Sequence, residues 1–158
     1  PLAVVAAAAR RASARGARVI LNLAPYAALA SDIVALADPL VVNEHEALLL
    51  ADSQALPASL VVTFGAAGAA WDGERVSAPV VEEAEGLDTT GAGDAFCCAL
   101  SPALRAGAAR HEALPLARAR GPGAVGPRPG KAYGTPPGSP VARLMSSPAW
   151  VSSRATSR

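Results

Sequence analysis

The chain has 158 residues, of which 51% are hydrophobic, and its formal net charge is +1. This length and apolar content suffice for one domain with a buried core. Arginines at positions 10, 11, 15 and 18 interrupt the alanine-rich start, so no apolar run reaches the roughly 18 to 20 residues of a membrane span. The start is also unlike a secretory signal, because its basic residues follow the apolar run.

The two cysteines, Cys97 and Cys98, are adjacent in the sequence. Adjacent cysteines cannot build a disulfide framework and suit a reducing compartment, so we expect a cytoplasmic location. We expect both cysteines to be packing residues of a helix rather than nucleophiles.

Charge divides the chain into two regions. Residues 1–104 contain five basic and twelve acidic residues, whereas residues 105–158 contain nine basic residues and one acidic residue. This asymmetry predicts a change of character near residue 105.

The first elements alternate between helix and strand. Residues 2–15 are rich in Ala and Arg and predict a helix that ends at Gly16. Residues 17–25 form a short apolar run closed by a proline, which is typical of a buried parallel strand. Residues 28–38 predict a short helix, and residues 39–43 predict a second buried strand.

The next elements continue this pattern. Asn43 occupies an N-cap position and Glu46 follows three residues later, which predicts that a helix begins there. Residues 59–65 predict a third apolar strand. Residues 66–81 predict a hairpin that turns at its Asp-Gly pair.

Alternating helices and apolar strands favour an α/β layered fold with a mostly parallel central sheet. In such sheets ligands bind beyond the carboxyl ends of the strands. Asn22, Asn43 and the loop of residues 63–68 occupy those ends in this sequence.

A different composition follows. Twelve of the twenty residues from 121 to 140 are glycine or proline. These residues disfavour both helix and strand, so this segment is predicted to be disordered.

The segment Asp88–Phe96, DTTGAGDAF, combines small residues with two aspartates ahead of an apolar helix. Gly91 and Gly93 allow close approach to a ligand, and the first amides of a helix attract anions. Asp94 at this helix start is expected to be ionised and able to accept a proton from an alcohol, as phosphoryl transfer to a hydroxyl requires. The alternative is a glycine-rich turn in which Asp94 caps the helix.

The segment DTTGAGDAF resembles the C-terminal signature of the ribokinase-like (PfkB) carbohydrate kinases. LNLAP at 21–25, VVNEHEA at 41–47 and VVTFGAAGA at 61–69 resemble three further family motifs, in the family's order. The resemblance covers roughly residues 1–107 and implies a ribokinase-like fold and ATP-dependent phosphorylation of a sugar hydroxyl.

The resemblance also implies roles for individual residues. Asp94 would be the catalytic base, and the amides of Gly91, Ala92 and Gly93 would form the anion hole. Asn43 and Glu46 would organise Mg²⁺ and its waters near the ATP phosphates. The remaining residues would lie against the nucleotide (Thr63, Gly65, Ala66, Ala67, Gly68) or bind K⁺ (Asp88 and the Thr90 carbonyl).

Several of these residues have structural alternatives. Asn43 and Glu46 also form a good capping pair, and the two roles are compatible. His45 and His111 are expected to be exposed. Trp71 is expected to lie in a strand over the core rather than to stack on a base.

Family members are about twice as long as this chain, and their first half supplies the sugar site. We therefore expect residues 1–107 to be the C-terminal half of the kinase domain, without its N-terminal half. A complete version would phosphorylate a pentose such as ribose and resemble the homodimeric family members. A second hypothesis is a catalytically incompetent fragment that retains part of a nucleotide-phosphate site.

The region after the signature departs from the family pattern. Pro102 is expected to disturb the signature helix, and residues 108–158 are predicted to be a disordered tail without the family's next helix. The charge reversal would fit a reading-frame shift. A basic arm for nucleic acid is a further alternative, but only Tyr133 and Trp150 are available in the tail for stacking.

Overall fold

The computed structural model describes residues 1–53, 55–65, 68–76, 92–120 and 141. No helix in these ranges is long and apolar enough to cross a membrane. The elements in chain order are α1 (Leu2–Ser13), β1 (Val19–Asn22), α2 (Ser31–Ala35), β2 (Ala37–Asn43), α3 (Glu44–Ser53), β3 (Leu60–Thr63), β4 (Ala69–Trp71), β5 (Glu74–Val76), α4 (Ala92–Arg105) and α5 (Arg110–Arg120).

The five strands of the described residues form one sheet in the order β1-β2-β3-β4-β5. β1, β2 and β3 are parallel, while β4 and β5 continue the sheet antiparallel. Helices α2 and α3 connect the parallel strands, as parallel pairing requires a crossover. The predicted α/β layered fold is therefore confirmed.

The core lies on both faces of the sheet because side chains alternate along each strand. Leu40 and Val42 of β2 belong to the core cluster that also contains residues of α2 and α3. Val41, between them, belongs to a second cluster with residues of α4 and α5. Burial on both faces explains why the β2 and β3 sequences are continuously apolar.

β1 differs from the predicted buried strand. It lies at one edge of the described sheet, and only Val19 of its four residues is buried. One side of an edge strand is not covered by a neighbouring strand, so the other three residues of β1 remain partly exposed. Ile20 nevertheless packs against the cluster of α4 and α5.

The hairpin predicted at the Asp-Gly pair is present. β4 and β5 pair antiparallel, with Trp71 opposite Glu74, and Asp72 and Gly73 form the turn with φ of 49° and 89°. Two positive φ values suit the twist of a two-residue hairpin turn. The part of this hairpin predicted beyond residue 76 lies outside the described residues.

The side chain of Asp72 connects the hairpin to other elements. It is only 2% exposed and forms an ion pair with Arg110 of α5. Its Oδ1 accepts a hydrogen bond of 2.8 Å from the Leu60 amide of β3. The Arg110 guanidinium also lies 5.4 Å from the centre of the Trp71 ring. The turn thus joins β3, β4 and α5.

Two predictions about the region after residue 100 were wrong. α4 continues through Pro102 to Arg105, since the Pro102 carbonyl still accepts from the Ala106 amide at 3.0 Å and Leu104 is buried. Proline removes one helical hydrogen bond, but packing against the sheet retains the helix.

A second helix, α5, then follows where none was predicted. The Glu112 carboxylate accepts from the Ala109 amide at 2.9 Å and caps its start. Ala113, Leu114 and Ala117 are buried against α4 and β4. Val141, the one described residue beyond α5, is buried in the cluster of α2 and α3. The rest of the predicted tail lies outside the described residues.

The two cysteines of α4 have different environments. Cys97 packs partly against the core, and burial, followed by the nearby Asp94 and Cys98, raises the pKa of its thiol to about 11. Cys98 is exposed, so the packing role predicted for it was wrong. Successive helical residues point about 100° apart, and the pair therefore spans the boundary of the buried face.

We expect Asp72→Ala to lower the free energy of unfolding by about 3 kcal/mol, because it leaves the buried Leu60 amide unpaired and places alanine at a positive φ. Asp72→Asn retains an acceptor and tolerates this φ, so its loss should be about 1 kcal/mol. Urea unfolding measures both. The control is Arg10→Ala, which removes an exposed ion pair with Asp32 and should leave the midpoint unchanged. Equal losses for the two Asp72 variants would contradict the proposed hydrogen bond.

A disulfide reagent at pH 8 should modify Cys98 first and leave Cys97 largely unmodified. With a pKa of about 11, only about 0.1% of Cys97 is thiolate at this pH, and its rate should rise about tenfold for each pH unit up to about pH 11. Cys98→Ala should remove the fast reaction, whereas Cys97→Ala should retain it. Two equally fast thiols would rule out this difference.

Candidate active site

The carboxyl ends of the three parallel strands meet at one edge of the sheet. Asn43 ends β2 and is the register partner of Thr63, which ends β3. Asn22 ends β1 and pairs with Val41. The first turn of α4 lies beside Asn22. The structure therefore brings together the strand ends that the sequence singled out and the start of the signature helix.

Asn43 and Glu46 form a reciprocal capping box at the start of α3. The Asn43 amide donates to Glu46 Oε2 at 2.8 Å, and the Glu46 amide donates to Asn43 Oδ1 at 2.9 Å. This confirms the structural role predicted for the pair. Glu46 is 5% exposed, so its carboxylate is held in one place at the strand ends.

The loop after β3 closes on itself. The Phe64 amide donates to the Gly68 carbonyl at 2.9 Å, and the Gly68 amide donates to the Gly65 carbonyl at 3.4 Å. Gly65 and Gly68 have φ of 54° and 118°, which favours glycine at both positions. The Thr63 hydroxyl donates to the Val42 carbonyl at 3.3 Å, which fixes the start of the loop.

Arg75 of β5 was not identified from the sequence as a site neighbour. Its guanidinium lies 4.9 Å from the centre of the Phe64 ring, at the start of this loop. A guanidinium over an aromatic face is attracted to it. The hairpin therefore supports the loop from one side.

α4 begins with Ala92, Gly93 and Asp94. The first amides of a helix have no partner within the helix, and the positive end of the helix dipole lies there. Gly93 and Asp94 are exposed. A group that bound at this helix start would meet backbone donors and a carboxylate together.

The side chain of Asn22 meets Asp94 in this first turn. Asn22 Nδ2 donates to Asp94 Oδ1 at 3.3 Å. The sequence identified Asn22 as the end of a strand and as part of the LNLAP motif but did not link it to Asp94. A usable signal was present: Ile20, two residues earlier, is apolar, and alternation places Asn22 on the same face of β1.

Several predicted site residues lie outside the described residues. These residues are Ala66, Ala67, Asp88, Thr90 and Gly91. The K⁺ ligands and part of the anion hole therefore remain predictions.

The described residues contain no group of three or more His, Cys, Asp or Glu side chains that could hold a metal. Mg²⁺ in nucleotide sites is usually held by one or two carboxylates, substrate phosphates and waters. The single buried carboxylate of Glu46 at the strand ends fits this limited protein contribution.

Comparison with known proteins agrees with this architecture. The family model of the pfkB family carbohydrate kinases matches residues 1–126. The match extends past the predicted boundary at residue 107 and includes α5.

Individual relatives show the same similarity. The chain is 29% identical over 138 residues to a ribokinase of Schizosaccharomyces pombe, a match that covers 74% of this chain and 43% of the relative. The Arabidopsis thaliana ribokinase, solved with ribose and ATP, matches with a TM-score of 0.64 and 25% identity over 77% of this chain and 46% of that protein.

An adenosine kinase from Sinorhizobium meliloti shares the fold at a TM-score of 0.60 and 22% identity, covering 89% of this chain and 48% of that protein. The chain thus spans a little under half the length of these relatives and has a partial ribokinase-like fold. Since the family model matches most of its residues, the chain belongs to the pfkB family of carbohydrate kinases.

Proposed function

We propose that this chain supplies the nucleotide and phosphoryl-transfer side of an ATP-dependent sugar kinase. The observation that carries the proposal is the exposed carboxylate of Asp94 in the first turn of α4, at the carboxyl ends of the parallel strands. The ribokinase of Arabidopsis thaliana, which shares this fold, was solved with ribose and ATP, which supports these substrates. A pentose such as ribose is therefore the proposed acceptor.

Asp94 is the proposed base. The sugar hydroxyl oxygen forms a bond to the γ-phosphorus of ATP as the bond between that phosphorus and the β-γ bridging oxygen breaks, and ADP leaves. The hydroxyl proton passes to the Asp94 carboxylate. A weak base suffices because the transition state of phosphoryl transfer is loose, and positioning provides most of the acceleration.

The amides of Gly91, Ala92 and Gly93 are the proposed anion hole. Charge grows on the equatorial oxygens of the transferring group, and donors at a helix start stabilise it without reorganising. The absence of a side chain at Gly93 allows the phosphoryl group to approach the backbone closely.

The other strand ends are proposed to bind the nucleotide and its metal. The residues from Thr63 to Gly68 would lie against the nucleotide, and the hydrogen bond between the Phe64 amide and the Gly68 carbonyl would preorganise that surface. Asn43 and Glu46 orient the waters of Mg²⁺, which when bound neutralises phosphate charge. Asp88 and the Thr90 carbonyl are the proposed K⁺ ligands. A homodimer and a cytoplasmic location are also part of the proposal.

In a complete version of the kinase, Asp94→Asn should reduce ribose-dependent ADP release at least about 100-fold, because the amide cannot take the hydroxyl proton. The affinity for MgATP, measured by calorimetry, should change little. Cys98→Ala, an exposed change one turn further along α4, is the matched control. Full activity of Asp94→Asn would remove the base role. Failure of the unaltered chain to bind MgATP would contradict the nucleotide site.

Glu46→Gln should separate the two roles of Glu46. Glutamine can replace glutamate in a capping box, so the free energy of unfolding should change by less than about 1 kcal/mol. Loss of the negative charge should weaken MgATP binding about tenfold and leave binding of metal-free ATP unchanged. Glu44→Gln, an exposed change in the same helical turn, is the control. Equal MgATP affinities for the two variants would exclude a metal role for Glu46.

A further inference from the structure

The Asp94 side chain of α4 is hydrogen-bonded to Asn22, a residue of β1 that lies far from it in the sequence. Asn22 Nδ2 lies 3.3 Å from Asp94 Oδ1, and the two residues are 72 positions apart. Asn22 belongs to β1 and Asp94 to α4. The position of the proposed base is thus tied to a sheet strand and not only to its own helix.

The fold places Asn22 there by packing. Ile20 of β1 and Val41 of β2 lie in the same core cluster as Phe96 of α4. Asn22 follows Ile20 by two residues and pairs with Val41, so it continues the row of side chains that faces α4. At the end of β1 this row of side chains extends beyond the core, and its last member is the carboxamide of Asn22 rather than an apolar side chain.

The Asn22 amide lies close to Gly93 in the first turn of α4. A Cβ atom at residue 93 would lie 3.4 Å from Asn22 Nδ2, an ordinary van der Waals distance. The amide therefore packs against the first turn of α4, next to Asp94.

The chemistry of the pair is complementary. An ionised carboxylate only accepts hydrogen bonds, and a carboxamide nitrogen offers two donors. A donor on Oδ1 fixes the rotation of the Asp94 carboxylate and directs Oδ2 to a separate position, where a hydroxyl proton can be received. A small misplacement of a catalytic group is costly to the rate.

We infer that Asn22 is a positioning residue that holds the Asp94 carboxylate in the orientation needed for proton abstraction. This inference rests on the proposed function. Both side chains are solvent-accessible, so the contact should add little to stability and act mainly on orientation.

The contact can be tested without any catalytic readout. Besides Asn22, the chain has only two residues with side-chain amide groups, Asn43 and Gln54, so a ¹⁵N spectrum resolves three NH₂ pairs. Asp94→Ala removes the acceptor and should shift the Asn22 pair. The Asn43 pair, whose oxygen is bound within α3, should stay in place and serves as the internal control. An unmoved Asn22 pair overturns the inference.

The kinetic test uses a double-mutant cycle on ribose-dependent ADP release by a complete version of the kinase. Asn22→Ala should lower kcat about 10- to 100-fold with the KM for ATP unchanged, and it should have no further effect in an Asp94→Asn background. Asn22→Asp, which keeps the shape but removes the donor, should lose at least as much. A structural defect would instead raise KM and lower the urea midpoint.

The outcomes distinguish a failure of the positioning role of Asn22 from a failure of the base role of Asp94. Loss of activity in Asp94→Asn together with full activity in Asn22→Ala overturns the role of Asn22 alone. Full activity in Asp94→Asn overturns the proposed base and, with it, the positioning role, even where the Asn22 resonances have shifted.

Discussion

Burial of β2 and β3 on both faces is the constraint on which the rest of the structure depends. Val41 and Val61 face α4 and α5, while Leu40 and Leu60 face α2 and α3. The parallel strands are joined by crossover helices, which cover the sheet, and parallel strands end on the same side. The polar strand ends, the loop after β3 and the start of α4 meet at one edge for this reason.

Much of this arrangement could be predicted from local patterns. The capping box follows from Asn43 and Glu46 at their spacing, and the hairpin turn follows from Asp72 and Gly73. Both features depend on residues close in sequence, whose hydrogen bonds form within one turn of chain. The apolar strands were equally clear, since double burial leaves a continuous apolar run.

The errors arose where distant packing decides the outcome. α5 contains Pro115 and three arginines, so its sequence is a poor indicator of a helix. Its buried residues are two alanines and one leucine, Ala113, Leu114 and Ala117, which form no clear apolar pattern. They are buried because they pack against α4 and β4. Likewise, the link between Asn22 and Asp94 joins residues far apart in sequence. Alternation along β1 indicates the face on which Asn22 lies but not which helix packs there.

The ion pair between Asp72 and Arg110 has a consequence for the cooperativity of the domain. This ion pair joins α5 to the hairpin of β4 and β5, and the Arg110 guanidinium also lies over the Trp71 ring. Local unfolding usually involves such contiguous units rather than single elements. A chain shortened at residue 107 would open the indole and the Asp72 carboxylate to water together. The rate of amide exchange in the loop between β3 and β4 would then depend on the presence of α5, although α5 comes much later in the sequence.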